Sequence, residues 1–142
     1  MASDCIFCKI VRGELLSFKI YEDDNTLAFL DIRPVNPGHT LVVPKRHSAN
    51  IFDVSKDSWP EVAETVRIVA LGVEKATAAD GVNINMNNRE HAGQVVDHLH
   101  VHIIPRFKGD GFRLWPQTPY KEGEAAKVQE KIKAQITQPP EV

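Results

Sequence analysis

The segment "DHLHVHIIPR", residues 97–106, constrains this chain more than any other stretch. It sets His98, His100 and His102 two residues apart, with Leu99, Val101 and Ile103 between them. A period of two is that of a β-strand, whose successive side chains point to opposite faces. The expectation is a strand with one aliphatic face for the core and one face carrying three imidazoles. Neighbours on that face stand about 6.5–7 Å apart along the strand, too far for a simple bonded row but near enough to converge on one ligand. Ile104 and Pro105 mark the expected end, because proline cannot donate to a central ladder. Imidazoles are unfavourable to desolvate without partners, so three in alternation ask for a shared chemical use.

The remaining pattern places that strand in a small α+β domain. "KIYEDDNTLAFLDI" reads as a hairpin turning at Asp23, Asp24 and Asn25, and "HTLVVPK" as a strand reached through the constrained loop "RPVNPG". A long helix starts after "SKD": Ser58 serves as N-cap, Pro60 sits in the first turn, and Glu61 completes a capping box. Val62, Val66, Val69, Val73 and Ala76 supply its core face, and Gly81 its stop. "VNINMNN" reads as another strand, and "REHAGQ" as the loop leading to the histidines, with His91 exposed in it. Short strands around one long helix suggest an antiparallel sheet. Beyond Pro105 the pattern weakens, with a polar helix in "YKEGEAAKVQEKIKAQI" and a loose tail in "TQPPEV". The expected organisation is one domain over residues 1–142, with a core at about 4–107 and a C-terminal segment at 108–142.

A net charge of -2 offers no broad basic field, so nucleic acid is not an expected partner. No apolar run approaches membrane-spanning length, and "MASDCIFCKIVRGELL" lacks the pattern of a secretory signal. The expected compartment is the cytoplasm. There the two cysteines, Cys5 and Cys8, stay reduced. Their C-x-x-C spacing suits a redox pair or half of a zinc site. No strand precedes it as in a thioredoxin-like unit, so zinc with two histidines is the better reading.

"GQVVDHLHVHIIPR" resembles the signature of the histidine triad (HIT) family, histidines alternating with hydrophobic residues, here Leu99, Val101, Ile103 and Ile104. "CIFCKIVRGEL", "DIRPVNPGHTLVVPKRH" and "NMNN…AGQ" resemble other blocks of that family, so the likeness covers residues 4–107. It implies a five-stranded antiparallel sheet, one long helix, a C-terminal helix, and a homodimer that joins two sheets. It also implies a purine nucleotide substrate cleaved at its α-phosphate through a covalent nucleotidyl-histidine. By this resemblance His100 is the nucleophile, while His102 and His39 line the phosphate site. Gln94 donates toward the phosphate or leaving atom, and backbone N–H groups around Gly93 add to the cradle. Asp31 accepts from the ribose hydroxyls, Asn87 adds a polar contact, and Ile6, Phe7 and Ile32 contact the nucleotide. The bacterial-type branch implies a structural zinc held by Cys5, Cys8, His47 and His98, which leaves the His98 carbonyl to hold the proton of His100.

Two features bear on the leaving group. Val95 stands where some members carry a serine that helps protonate an amine, which shifts expectation toward phosphoanhydride substrates. "IIPRF" likewise looks closer to the dinucleoside polyphosphate hydrolases than the alternative Gly-Gly-Arg ending. Other readings stay open. The three triad histidines can hold one catalytic zinc with water, or the chain can be a nucleotide-binding regulatory scaffold with incidental turnover. The sugar-phosphate nucleotidyl transferases are disfavoured, because they carry glutamine where His102 stands.

Overall fold

The computed structural model describes residues 4–136. The tail expected from "TQPPEV" lies outside them. Two compact units divide after Gly109. The second holds one helix, which we call α3, over Glu124–Gln135; it is polar and buries no residue, as its composition implied. The first unit carries the sheet and everything described below.

Its elements run in the order α1 (Ile6–Val11), β1 (Lys19–Glu22), β2 (Thr26–Leu30), β3 (Thr40–Pro44), α2 (Ser58–Thr77), β4 (Gly81–Asn85), β5 (Val101–Arg106). The five strands form one antiparallel sheet in the order β1-β2-β3-β5-β4. The β1–β2 turn is made by Asp23, whose Oδ1 accepts the backbone N–H groups of Asn25 at 2.9 Å and Thr26 at 2.7 Å. This is the side-chain mimicry that makes aspartate a turn residue.

Both sheet faces are covered, which is why β2 and β3 are almost continuously buried rather than alternating. On one face Ala28, Val42, Leu99, Val101 and Ile103 pack against Val62, Val66, Val69 and Val73 of α2. Buried Thr65 joins that contact through a hydroxyl bond to Thr26, at 2.8 Å. On the other face Leu27, Phe29, Leu41 and Val43 pack against Phe7 and Ile10 of α1. Register carries the second face across the sheet, with Phe29 opposite Leu41 and Leu41 opposite His102.

Several expectations change. Helix α1 had no place in the sequence pattern; its cap is Cys5, whose Sγ accepts the Cys8 N–H at 3.3 Å. Ser58 begins α2 without capping it, and its own N–H goes to Ser55 Oγ at 3.0 Å. Ala76 is exposed and takes no part in the core face. The helix ends at Ala78 in the left-handed region, φ 54°, while Gly81 opens β4. Regular pairing of the histidine strand starts only at Val101, so His98 and His100 precede it. Pro105 lies inside β5 instead of ending it. Its pairing with β3 stops at Ile103, and its carbonyl accepts from Asn36 Nδ2 at 2.9 Å. The missing N–H therefore faces the side where no strand continues.

Gly38 sits where the loop into β3 crosses the end of α2. Its φ is +102°, and a Cβ there would stand 2.7 Å from Thr77 Cγ2 and 3.3 Å from Pro105 Cγ. Left-handed strain and steric overlap act together. Gly38→Ala is expected to destabilise the fold by about 2 kcal/mol, read as a lowered midpoint in urea denaturation.

Candidate functional site

The three histidines divide between two sites. Their ring positions follow from where β5 begins. His102, inside the strand, and His100, just before it, share the face that bears Leu41, and their ring centroids are 5.1 Å apart. His98 leaves that face. It is fully buried, and its ring turns to Cys5, Cys8 and His47. The expected row of three imidazoles is thus a pair plus one, and no single ion can take all three in this arrangement.

The four-residue cluster is tight. His98 Nδ1 is 3.3 Å from Cys5 Sγ, 3.5 Å from Cys8 Sγ and 3.2 Å from His47 Nδ1, and Cys8 Sγ is 3.3 Å from His47 Nδ1. A tetrahedral zinc with bonds of about 2.0–2.1 Å to nitrogen and 2.3 Å to sulfur spaces its ligands at about 3.3–3.8 Å, so the donors fit that ion. The ring chemistry fits as well. His98 Nε2–H donates to the Pro44 carbonyl at 2.8 Å, leaving the lone pair on Nδ1 where the cluster lies. Burial pushes the imidazolium pKa of His98 down to about 4, so the ring is the neutral ligand form near pH 7. Neither cysteine is in a disulfide.

The second site opens into a cavity of about 540 Å³. Ile6, Phe7, Asp31, Ile32, Asn87 and Gly93 line it together with His100 and His102. Leu15, Leu16, Phe29 and Leu41 extend its apolar wall. These four were not singled out from the sequence.

Hydrogen bonds assign the tautomers of its histidines. His100 Nδ1–H donates to the His98 carbonyl at 2.7 Å, so Nε2 keeps the lone pair. The Val35 N–H donates to His39 Nδ1 at 3.0 Å, so the His39 proton sits on Nε2. That proton goes to His102 Nδ1, at 2.9 Å. His102 therefore carries its own proton on Nε2. One ring offers a nucleophile and its neighbour a donor, with both choices traced to backbone groups. Asp31 closes the far side: its Oδ1 accepts the Arg33 N–H at 2.8 Å, and its Oδ2 lies 3.7 Å from His39 Nε2.

Three roles expected from the sequence change. His39 stands behind His102 with both ring nitrogens engaged, so it orients that ring and does not itself line the cavity. Gln94 is buried, and its amide donates to the carbonyls of Ala49 at 2.6 Å and Val96 at 2.9 Å, while its Oε1 accepts the Arg89 N–H at 2.7 Å. It locks the loop rather than facing phosphate. Gly93 gives its N–H to the Glu90 carbonyl at 2.9 Å, and its φ of +94° explains the glycine. His91 is exposed in the short turn Glu90–Ala92, as expected, and Val95 is 90% exposed on the cavity wall.

An imidazole pair, an anchored carboxylate and an apolar slot thus meet on one face of the sheet. The HIT domain family matches residues 12–109, and the chain belongs to that family. It is 36% identical over 141 residues to the adenosine 5′-monophosphoramidase HNT1 of Candida albicans, covering 94% of this chain and 92% of that one. The fold matches the crystal structure of SMU.412c from Streptococcus mutans UA159 with a TM-score of 0.92 at 41% identity, covering 96% and 88% of the two chains. It also matches a zinc-bound histidine triad family protein from Mycobacterium smegmatis, with a TM-score of 0.74 at 35% identity over 93% and 98%. No helix among the described residues is long and apolar enough to cross a membrane.

Burial lowers the pKa of His39 and His100 as well, and takes His102 to about 4. A folded pKa below the unfolded value of about 6.5 means that the unfolded chain takes up protons first as pH falls. Stability is therefore expected to be level above pH 6.5 and to drop between 6.5 and 4. A melting temperature lower by several degrees at pH 5 than at pH 7 checks this, as does a His102 ring resonance that does not titrate between pH 8 and 5.

Proposed function

We propose that this chain is a purine nucleotide hydrolase or transferase that cleaves at the α-phosphate of a nucleotide conjugate through a nucleotidyl-histidine on His100. The observation that carries this reading is the 2.7 Å bond from His100 Nδ1–H to the His98 carbonyl, which leaves Nε2 as the attacking atom. Neutral imidazole is a competent nucleophile, and burial keeps His100 neutral near pH 7. His100 Nε2 attacks the α-phosphorus, the leaving group departs with the bonding pair and takes up a proton, and water then cleaves the P–N bond to release AMP. His102 Nε2–H is a donor to the charge that builds on the phosphoryl oxygens. Asp31 Oδ2 accepts from ribose hydroxyls, Asn87 adds a polar contact, and the slot formed by Ile6, Phe7 and Ile32 takes the base. A cavity of this size suits a nucleoside monophosphate.

The printed activity of the Candida albicans relative, an adenosine 5′-monophosphoramidase, supports an adenylylated conjugate as substrate class. Val95 offers no hydroxyl to an amine leaving group, which favours a dinucleoside polyphosphate. The alternative, a regulatory scaffold that binds nucleotide with incidental turnover, has no use for a nucleophile held in one tautomer.

Cys5, Cys8, His47 and His98 are read as a structural zinc site of the bacterial-type branch, supported by the donor spacing and by the zinc-bound relative. When bound, the ion ties the N-terminal segment to the sheet; the chemistry at phosphorus belongs to His100 and His102. Residues 1–142 are read as a single HIT domain, with a core at about 4–107 and a C-terminal segment at 108–142, working in the reducing cytoplasm. A homodimer fits the edge of β4, which among the described residues pairs only with β5, and the apolar groove beside it formed by Val66, Ala70, Leu71, Val82 and Ile84.

His100→Ala is expected to lower AMP release from a diadenosine polyphosphate and from adenosine 5′-phosphoramidate by at least about a thousandfold, measured chromatographically. Equal release by both proteins would remove the enzyme reading. Ile84→Lys is expected to shift the sedimentation of the chain from dimer toward monomer, by placing a charge on the edge of the joined sheet.

A further inference from the structure

The N-terminal segment serves two sites with four consecutive residues. Cys5 and Cys8 face His47 and His98, and the residues between them, Ile6 and Phe7, form part of the cavity wall. The helix that carries them is six residues long, too short to hold itself in water. It is fastened at two points. One is apolar, where Phe7 and Ile10 meet Leu27, Phe29, Leu41 and Val43. The other is the thiol–imidazole cluster. The Phe7 ring stands edge-on to His100 at 5.2 Å and to His98 at 6.0 Å, so the side chain leaning on the nucleophile is flanked by metal donors. His98 closes the link from the sheet side. Its ring belongs to the cluster, and its carbonyl holds His100.

We propose that the Cys5–Cys8–His47–His98 centre and the nucleotide cavity are thermodynamically coupled: metal in the centre raises the affinity for a nucleoside monophosphate, and nucleotide raises the affinity for metal. The coupling rests on the reading that the cavity takes nucleotide and the cluster takes zinc. Each ligand must order α1 in order to bind well. Whichever binds first has already met that entropic cost for the second. Without an ion, four donor atoms packed within hydrogen-bond distance lack the cation that draws them together, with His47 Nδ1 3.2 Å from His98 Nδ1. The cluster then loosens, and Ile6 and Phe7 draw back from the cavity. Linkage requires the same factor in both directions.

The test measures AMP binding to the full chain by calorimetry, zinc-loaded and stripped by a chelator, with metal content and far-UV circular dichroism recorded for both. The expected result is AMP binding about tenfold weaker in the stripped protein, with the sheet intact, and a zinc dissociation constant lowered by the same factor when AMP is present, read against a chromogenic chelator. Equal AMP affinity in the two forms overturns the coupling and leaves the nucleotide reading standing. Zinc-loaded protein that does not bind AMP overturns the coupling and the nucleotide reading, and a chain that takes up no zinc overturns the coupling and the zinc reading. Stripped protein that has lost its sheet also overturns the coupling, because the metal then acts on folding as a whole. Phe7→Leu keeps all four donors and gives an independent check. Its zinc affinity without AMP is expected to match the wild type while the coupling factor shrinks; an unchanged factor overturns the route through Phe7.

Discussion

The hydrogen bond from His100 Nδ1 to the His98 carbonyl joins residues only two apart, yet much of the molecule is arranged around it. It needs the His98 carbonyl to point at the imidazole two residues on, just before regular strand pairing begins. The His98 ring has its own place, between two cysteines and a second histidine, with Nε2–H on the Pro44 carbonyl. The end of β3, the start of β5 and the helix α1 all meet at this one buried residue. A substitution there would disturb the thiol–imidazole cluster, a backbone acceptor and a core side chain together.

Backbone groups decide the proton positions across the rest of the site. Val35 N–H sets His39, His39 sets His102, and the His98 carbonyl sets His100. Side-chain partners in these places would titrate or swing away; peptide groups do neither. Burial keeps the rings neutral, so near pH 7 the pattern of one lone pair and one N–H persists. The loop carrying Asn87 and Gly93 is steadied in the same manner, with the Gln94 amide spent on the carbonyls of Ala49 and Val96.

The sheet makes this possible because one of its faces is covered and the other is covered only in part. Helix α2 takes one face with a valine stripe, and α1 takes only part of the other. The uncovered part of that second face is the cavity. Its floor is written by strand register, Phe29 to Leu41 to His102, and part of its wall by the short helix that Cys5 caps.

Alternation in residues 98–103 was enough by itself to give a strand with an aliphatic side and a reactive side, since side-chain direction in a strand depends only on parity. Helical spacing likewise gave α2 and four of its five expected core positions. The family blocks added the residues of both sites, and most of them do converge: Asp31, Asn87, Phe7 and the imidazole pair on one cavity, the cysteines with His47 and His98 on another. Parity could not say where the strand begins, and that boundary turns His98 away from its neighbours. Residue type could not say which partner would claim an amide or an imidazole, so the places of Gln94 and His39 came from packing. Six residues capped by one cysteine and holding another carry too weak a periodicity to announce a helix. Those outcomes depend on groups far apart in the chain, such as Pro44, Ala49 and Val35, and only the folded backbone brings them within hydrogen-bonding distance.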